Sequence, residues 1–185
     1  MNIQHPEIGV CGLSCRLCPM YNSKAKSRCA GCKSPARIAV GCTFLTCAVK
    51  KKGIEFCWEC AENTTCEKWR NHREAGRQRD SFKCYQKLED DIAFIMKHGA
   101  MKFEAEQEIR ENILRNMLQS FNDGKSKSYY CIAATILKIN ELNDALAKAD
   151  AQSRNLLPNE KAAVMHSILD SVSKEKGYIL KLRNK

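Results

Sequence analysis

Several features that would assign the chain to a known class of protein are absent from its sequence. No run of about 18 apolar residues occurs, so no membrane span is expected. The first residues, 1–6, lack a basic stretch followed by an apolar run, and no signal peptide is therefore predicted. These two absences predict a cytoplasmic protein, in which cysteine thiols stay reduced and free to bind metal.

The sequence motifs of common enzyme classes are also missing. No G-x-S-x-G elbow, no G-x-G-x-x-G turn and no P-loop occurs in the chain. The four histidines, His5, His72, His98 and His166, are isolated along the chain, and the acidic residues near Asp90, Asp91 and Glu111 are expected on solvated helix faces. The sequence therefore favours a role without catalysis, and leaves an enzyme open as the alternative.

Cysteine, in contrast, is abundant and unevenly placed. Ten of the twelve cysteines lie between Cys11 and Cys66, and three pairs among them have the C-x2-C spacing. Such a pair turns two thiolates toward one point, which is the geometry that tetrahedral zinc requires. We therefore predict metal ligands rather than disulfides. The ten candidates are Cys11, Cys15, Cys18, Cys29, Cys32, Cys42, Cys47, Cys57, Cys60 and Cys66.

The simplest assignment joins neighbouring pairs into two closed sites. One site would use Cys15, Cys18, Cys29 and Cys32, and the other Cys42, Cys47, Cys57 and Cys60. Four thiolates leave no open position on zinc, so both sites would be structural. Cys11 and Cys66 would then form a third site with His72 or replace a member of a pair. Interleaved pairing, iron–sulfur clusters and labile redox-active zinc stay open as alternatives.

The formal net charge of +10 is concentrated in the first part of the chain. Residues 1–84 carry 15 Lys and Arg against 7 Asp and Glu, a balance of +8, which leaves +2 for residues 85–185. A basic stretch with flanking Trp69 and Phe82 suggests a nucleic-acid partner, and a protein partner is the alternative. The stretch comprises Lys68, Arg70, Arg73, Arg77, Arg79 and Lys83. Its basic charge would also offset thiolate clusters, and an ordinary exposed helix is the simpler interpretation.

Hydrophobic spacing predicts a mainly α fold with two parts. Residues 1–84 are expected to form a small irregular zinc-knuckle module with short strands and loops, ending in a helix from Glu67 to about Ala75. Residues 85–185 are expected to form a helical bundle on which the module packs. Gly99 and Gly177 are predicted helix ends, Pro158 a helix start, and one broad helical face is predicted from Tyr129 to Leu146.

The order of the cysteine motifs resembles a known family. The segments C-G-L-S-C-R-L-C-P from Cys11, C-A-G-C from Cys29 and G-I-E-F-C-W-E-C ending at Cys60 are similar to domain of unknown function 3795. The resemblance covers about residues 8–69. It implies a cysteine-rich prokaryotic domain that binds zinc and supplies no activity. With the spacing argument, it leads us to expect a protein with two bound zinc ions, or three as the alternative, and an interaction role.

Overall fold

The structure is a computed structural model that describes residues 3–183. The prediction of a mainly α fold is confirmed. The prediction of short strands between Ile8 and Cys66 is wrong, because residues 3–183 contain no strand and only an isolated bridge between Ile8 and Ser14. The α-helices in this range are α1 (Pro35–Val40), α2 (Thr43–Leu45), α3 (Glu67–Gln78), α4 (Leu88–His98), α5 (Ala100–Ser120), α6 (Lys127–Ile136), α7 (Ile139–Gln152) and α8 (Pro158–Lys176).

A tight turn near the N-terminus brings the first cysteines against α4. The amide of Gly9 donates to Leu13 O at 2.9 Å, and the amide of Gly12 donates to Gly9 O at 2.9 Å. Gly12 has φ +91°, and a Cβ at this position would lie 2.8 Å from Cγ1 of Ile92 in α4. Only glycine combines this backbone conformation with so close an approach.

The helix ends follow the sequence signals in most places. Helix α4 ends before Gly99, α8 begins at Pro158, and Gly177 ends α8 in the left-handed conformation with φ 70°. Helix α3 continues through Gly76 to Gln78, however. The position of Gly76 is buried, and a Cβ there would lie 3.0 Å from Leu88 Cδ2, so the missing side chain allows close packing.

The single helical face predicted from Tyr129 to Leu146 is divided between α6 and α7, and this correction has a visible cause. Arg110 Nη1 donates to Ala134 O at 2.9 Å and to Leu137 O at 2.6 Å, which satisfies carbonyl groups at the end of α6. The backbone at Leu137 is extended, with ψ 153°. The carboxylate of Glu141 then accepts from the amide of Lys138 at 2.8 Å, and α7 begins.

Helices α5–α8 enclose the largest hydrophobic cluster. Leu114, Met117, Tyr130, Leu142 and Leu169 are all fully buried there. Ile109 on α5 lies outside this cluster and is 48% exposed. The last described residues form a docked tail, in which Gln86 Nε2 donates to the carbonyls of Ile179 and Lys181.

Two smaller clusters combine residues of the cysteine-rich segment, defined here as residues 11–66, with helices α3–α5. Leu13 packs with Trp69, Leu88 and Ile92. A second cluster, formed by Ile8, Phe56, Ile95 and Phe103, reaches just beyond this segment to Ile8. The few large hydrophobic residues of this part are therefore buried against helices. The predicted division of the chain near Cys84 stays a prediction.

In the range from 3 to 183, no helix combines the length and the apolar character that crossing a membrane would require.

Candidate metal centre

The four cysteines Cys15, Cys18, Cys29 and Cys32, called here the first cluster, come from two short turns. The amide of Cys18 donates to Cys15 O at 3.0 Å, which closes the first turn. The amide of Cys32 donates to Cys15 Sγ at 3.3 Å and so joins the second turn to the first. Sulfur acting as an acceptor for a backbone amide is an arrangement that favours the thiolate.

The protonation of Cys15 and Cys32 is linked. The hydrogen bond from the Cys15 thiol lowers the pKa of Cys32 to about 6, and the same hydrogen bond raises the pKa of Cys15. Of the two thiols, Cys32 is therefore the one that loses its proton more readily. A thiolate is the form of cysteine that binds metal.

Two cations face the first cluster. Lys83 is a buried residue, 7% exposed, and burial lowers its pKa. The nearby sulfur atoms, Cys32 and Cys15 foremost, outweigh this effect and raise the pKa, so the ammonium group stays charged. Arg37 approaches from the other side and hydrogen-bonds Cys29, which raises the arginine pKa. The cluster lies in a positive environment that stabilises thiolates.

A second group of four cysteines surrounds one cavity of about 80 Å3. This second cluster consists of Cys47, Cys57, Cys60 and Cys66. Its turn is held by the amide of Cys60, which donates to Cys57 O at 3.4 Å. Lys52 also lines the cavity, and its Nζ donates to Cys60 Sγ at 3.1 Å.

The second cluster disfavours loss of protons in the absence of a cation. Burial raises the pKa of Cys57 to about 12, and the nearby thiols of Cys11, Cys47, Cys66 and Cys60 add to the increase. A bound cation would reverse this effect, because it stabilises several thiolates at once. The donor set of four thiols around a small cavity therefore fits a thiophilic metal ion.

The grouping differs at one position from the simplest assignment based on spacing. Cys66 lines the cavity with Cys47, Cys57 and Cys60, whereas Cys42 is exposed at the start of α2 and does not line it. Cys11 lies between the two clusters, where burial and the neighbouring Cys32 and Cys42 raise its pKa.

All twelve cysteines are free thiols, so no disulfide accounts for the clusters. Among the described residues, no three His, Cys, Asp or Glu side chains are already arranged to hold a metal ion in common. This statement includes the set of Cys11, Cys66 and His72. The clusters bring thiols together without fixing a coordination geometry.

The isolated histidine in that third set has a structural environment. His72 packs against Phe44, Trp69 and Tyr85, with ring centroids 4.9, 5.9 and 5.6 Å away. Burial lowers the pKa of His72, which favours the neutral ring. The two cysteines outside the ten candidate ligands, Cys84 and Cys131, are both buried.

The basic stretch is not a continuous exposed surface. Arg73 Nε donates to Glu89 at 2.8 Å, and Arg77 Nη2 donates to the same carboxylate at 2.9 Å. Lys83 lies inside beside the first cluster, and Trp69 is buried, so only Phe82 remains as an exposed flanking aromatic residue.

Sequence reasoning missed the buried role of two acidic residues. Glu111, expected on a solvated face, is 6% exposed and accepts a 2.6 Å hydrogen bond from Arg16. Asp91, also expected on a solvated face, lines a cavity, and burial raises its pKa to about 8. For Glu111 a signal was present, because it lies four residues after Gln107 and before Arg115 on one helix.

Comparison with known proteins confirms the resemblance for the cysteine-rich part. Residues 7–71 match the model of a family described as protein of unknown function (DUF3795). The match includes the eight cysteines of the two clusters and also Cys11 and Cys42. No curated protein and no solved structure matches the chain.

Proposed function

We propose that the protein binds zinc through two structural four-thiolate sites. The first cluster, Cys15, Cys18, Cys29 and Cys32, would hold one ion. The second cluster would hold the other ion through Cys47, Cys57, Cys60 and Cys66. When bound, each ion would supply a tetrahedral cross-link between distant parts of the chain, with no open position for a substrate.

The observation that carries this proposal is the cavity surrounded by four free cysteines. Phe44, Ile54 and Trp69 also line this cavity of about 80 Å3, so its thiols lie in partly apolar surroundings where thiolates would need a cation. The charges also support it. A zinc ion with four thiolates has a net charge of −2, and Lys83 and Arg37 at the first cluster and Lys52 at the second lie where they would offset it.

Metal analysis of the purified protein tests the proposal directly. We expect two zinc ions per chain and no visible charge-transfer band. A chelator should then expose the cysteine-rich segment to protease, because each structural zinc contributes on the order of 10 kcal/mol to folding. A metal-free protein that resists protease equally well would contradict the proposal.

The alternative function is an iron–sulfur or labile-zinc redox protein, since sets of four cysteines also hold iron–sulfur clusters. The same analysis separates the two. The presence of iron, inorganic sulfide and a visible absorption band would show that the protein binds iron–sulfur clusters and not zinc. Zinc that leaves upon mild oxidation and returns upon reduction would support the labile site.

We also propose that the protein interacts with a protein or nucleic-acid partner. Nucleic-acid binding would weaken steeply as salt rises, because lysine and arginine contacts release counterions from phosphates. The exposed members of the basic stretch are the residues to neutralise in that assay, namely Lys68, Arg70, Arg77 and Arg79. An affinity that does not change with salt would leave a protein partner as the favoured class.

A further inference from the structure

A cavity of about 180 Å3 lies where the cysteine-rich segment meets the helices. Leu13 and Leu17 of the cysteine-rich segment form one wall, and α4, α5 and α6 form the others. Exposed residues at its edge, Phe82 and Asp90, connect it to solvent. This cavity is separate from the one inside the second cysteine cluster, with which it shares no lining residue.

The charges around this cavity are paired, with one exception. Lys87 Nζ bonds to Asp90 at 2.8 Å, and Arg110 Nη2 bonds to Glu106 at 3.0 Å. The remaining carboxyl group, that of Asp91, makes no hydrogen bond or ion pair with any residue from 3 to 183. Burial raises its pKa to about 8, although the positive charges of Arg110 and Lys87 act to lower it. A further cation placed beside the Asp91 carboxyl group would therefore favour its ionised form.

A second polar side chain lies in the same wall. Gln107 on α5 is 5% exposed and lines the cavity, so its amide is available to a ligand that enters there. The third cation of the wall, Lys83, lies beside the first cysteine cluster, whose sulfur atoms raise its pKa. Asp91 and Gln107 thus offer a carboxyl group and an amide to a ligand in one cavity.

Aromatic side chains also line the cavity. Phe94 and Phe103 line it, with ring centroids 6.2 Å apart. The faces of aromatic rings attract cations, and the attraction is stronger where water is excluded. An engineered apolar cavity of about 150 Å3 holds benzene, so this somewhat larger volume accommodates a ring with one polar substituent.

We propose that this cavity binds a small organic amine. Its ammonium group would pair with Asp91, its apolar body would lie against Phe94 and Phe103, and a further polar group on the ligand would bond to the Gln107 amide. The site uses none of the ten candidate metal ligands and does not depend on which metal they hold.

Calorimetric titration of the full-length, metal-containing protein tests the proposal. The probes are benzylamine and benzyl alcohol, which have similar shape and differ in charge, at about pH 8, where the amine is still charged. We expect saturable binding of benzylamine and at least tenfold weaker binding of benzyl alcohol. The variant Asp91→Asn should bind benzylamine about tenfold more weakly than the wild type does, because hydrogen bonds to charged groups are among the strong ones.

The matched control is Asp144→Asn, since Asp144 is exposed on α7 and does not line the cavity. This variant should bind benzylamine as the wild type does. An absence of saturable benzylamine binding would overturn the proposal. Equal binding of the amine and the alcohol by the wild type would also overturn it, and this comparison needs no variant to fold. Equal affinity of Asp91→Asn and wild type would show that the carboxyl group is not the recognition element.

Discussion

Lys33 and Glu55 form a buried ion pair, and its disruption gives a large predicted effect that requires no assumption about metal. The Lys33 side chain is fully buried, and its Nζ lies 2.7 Å from Glu55 Oε2 and 3.2 Å from His5 O. Glu55 also accepts hydrogen bonds from the amides of Gln4 and His5. The pair therefore joins the start of the described chain to the segment before Cys57.

The variant Lys33→Met keeps the length of the side chain and removes its charge. Glu55 would then be left as a buried carboxylate without a cation, at a cost of about 3–5 kcal/mol. With a urea dependence of about 2 kcal/mol per M, the unfolding midpoint should fall by about 2 M. The measurement is urea unfolding of the protein with its purified metal content retained. Lys26→Met, at an exposed position, is the control and should change the midpoint little.

A second variant separates loss of charge from loss of packing. In Lys33→Met/Glu55→Gln, the amide oxygen still accepts from the backbone of Gln4 and His5, and no unpaired charge remains. We expect this double variant to recover at least half of the lost stability. A fall in the midpoint under about 0.5 M for Lys33→Met would refute the reasoning, since a buried unpaired carboxylate costs several times more.

Three further predictions follow from particular positions. Gly12→Ala should lower the free energy of unfolding by about 2–4 kcal/mol, because it adds both backbone strain and overpacking. Gly53→Ala should lower it by only about 1 kcal/mol, because the space around its Cβ position is open. The midpoints of urea unfolding check both values. Cys66→Ser should reduce the zinc content from two ions per chain to about one, whereas Cys42→Ser should retain two. Elemental analysis of both variants checks this. The reverse result would favour the assignment based on spacing, in which Cys42 and not Cys66 is a ligand. Because the folded state holds the Asp91 proton more tightly than the unfolded state does, the wild type should lose stability as the pH rises from about 4 to about 8. The variant Asp91→Asn should not show this loss. A wild type whose stability is constant over that pH range would disprove the prediction.

The helical part could be predicted closely because its signals are local. Gly99, Pro158 and Gly177 act within one turn of a helix, so they fix its ends wherever the helix packs. The break between α6 and α7 depends instead on Arg110, which comes from another helix and bonds to carbonyls at the end of α6. A contact between residues so distant in the sequence leaves no periodic signal.

The cysteine spacings predict ten metal ligands, which stays a prediction, and which of these cysteines lie near one another depends on the path of the chain between them. Helix α2 and the π-helical segment Thr46–Lys51 that follows it turn the chain so that Cys47 faces the cavity and Cys42 does not. The turn Cys57–Glu59 and the start of α3 then bring Cys66 to the same cavity. The C-x2-C spacing is informative because two cysteines that are three residues apart lie on one turn. Spacings of five or more residues permit several paths, and hydrophobic packing selects among them.

The high positive charge of the first part of the chain has a different meaning once its cations are located. Lys33 is buried in an ion pair, Lys83 is buried beside the first cluster, and Lys52 contacts the sulfur of Cys60. Cations held inside or against thiols contribute little to an external field that would attract phosphates. With Lys33, Lys52 and Lys83 held in this way, residues 1–84 would present a weaker positive field than their formal charge suggests, and more so if two zinc–thiolate sites add a net charge of −2 each. If this is right, saturating both clusters with zinc should leave the cysteine-rich segment with a far weaker affinity for polyanions than its formal charge suggests. Tight, strongly salt-dependent binding of the zinc-loaded protein to single-stranded nucleic acid would contradict it.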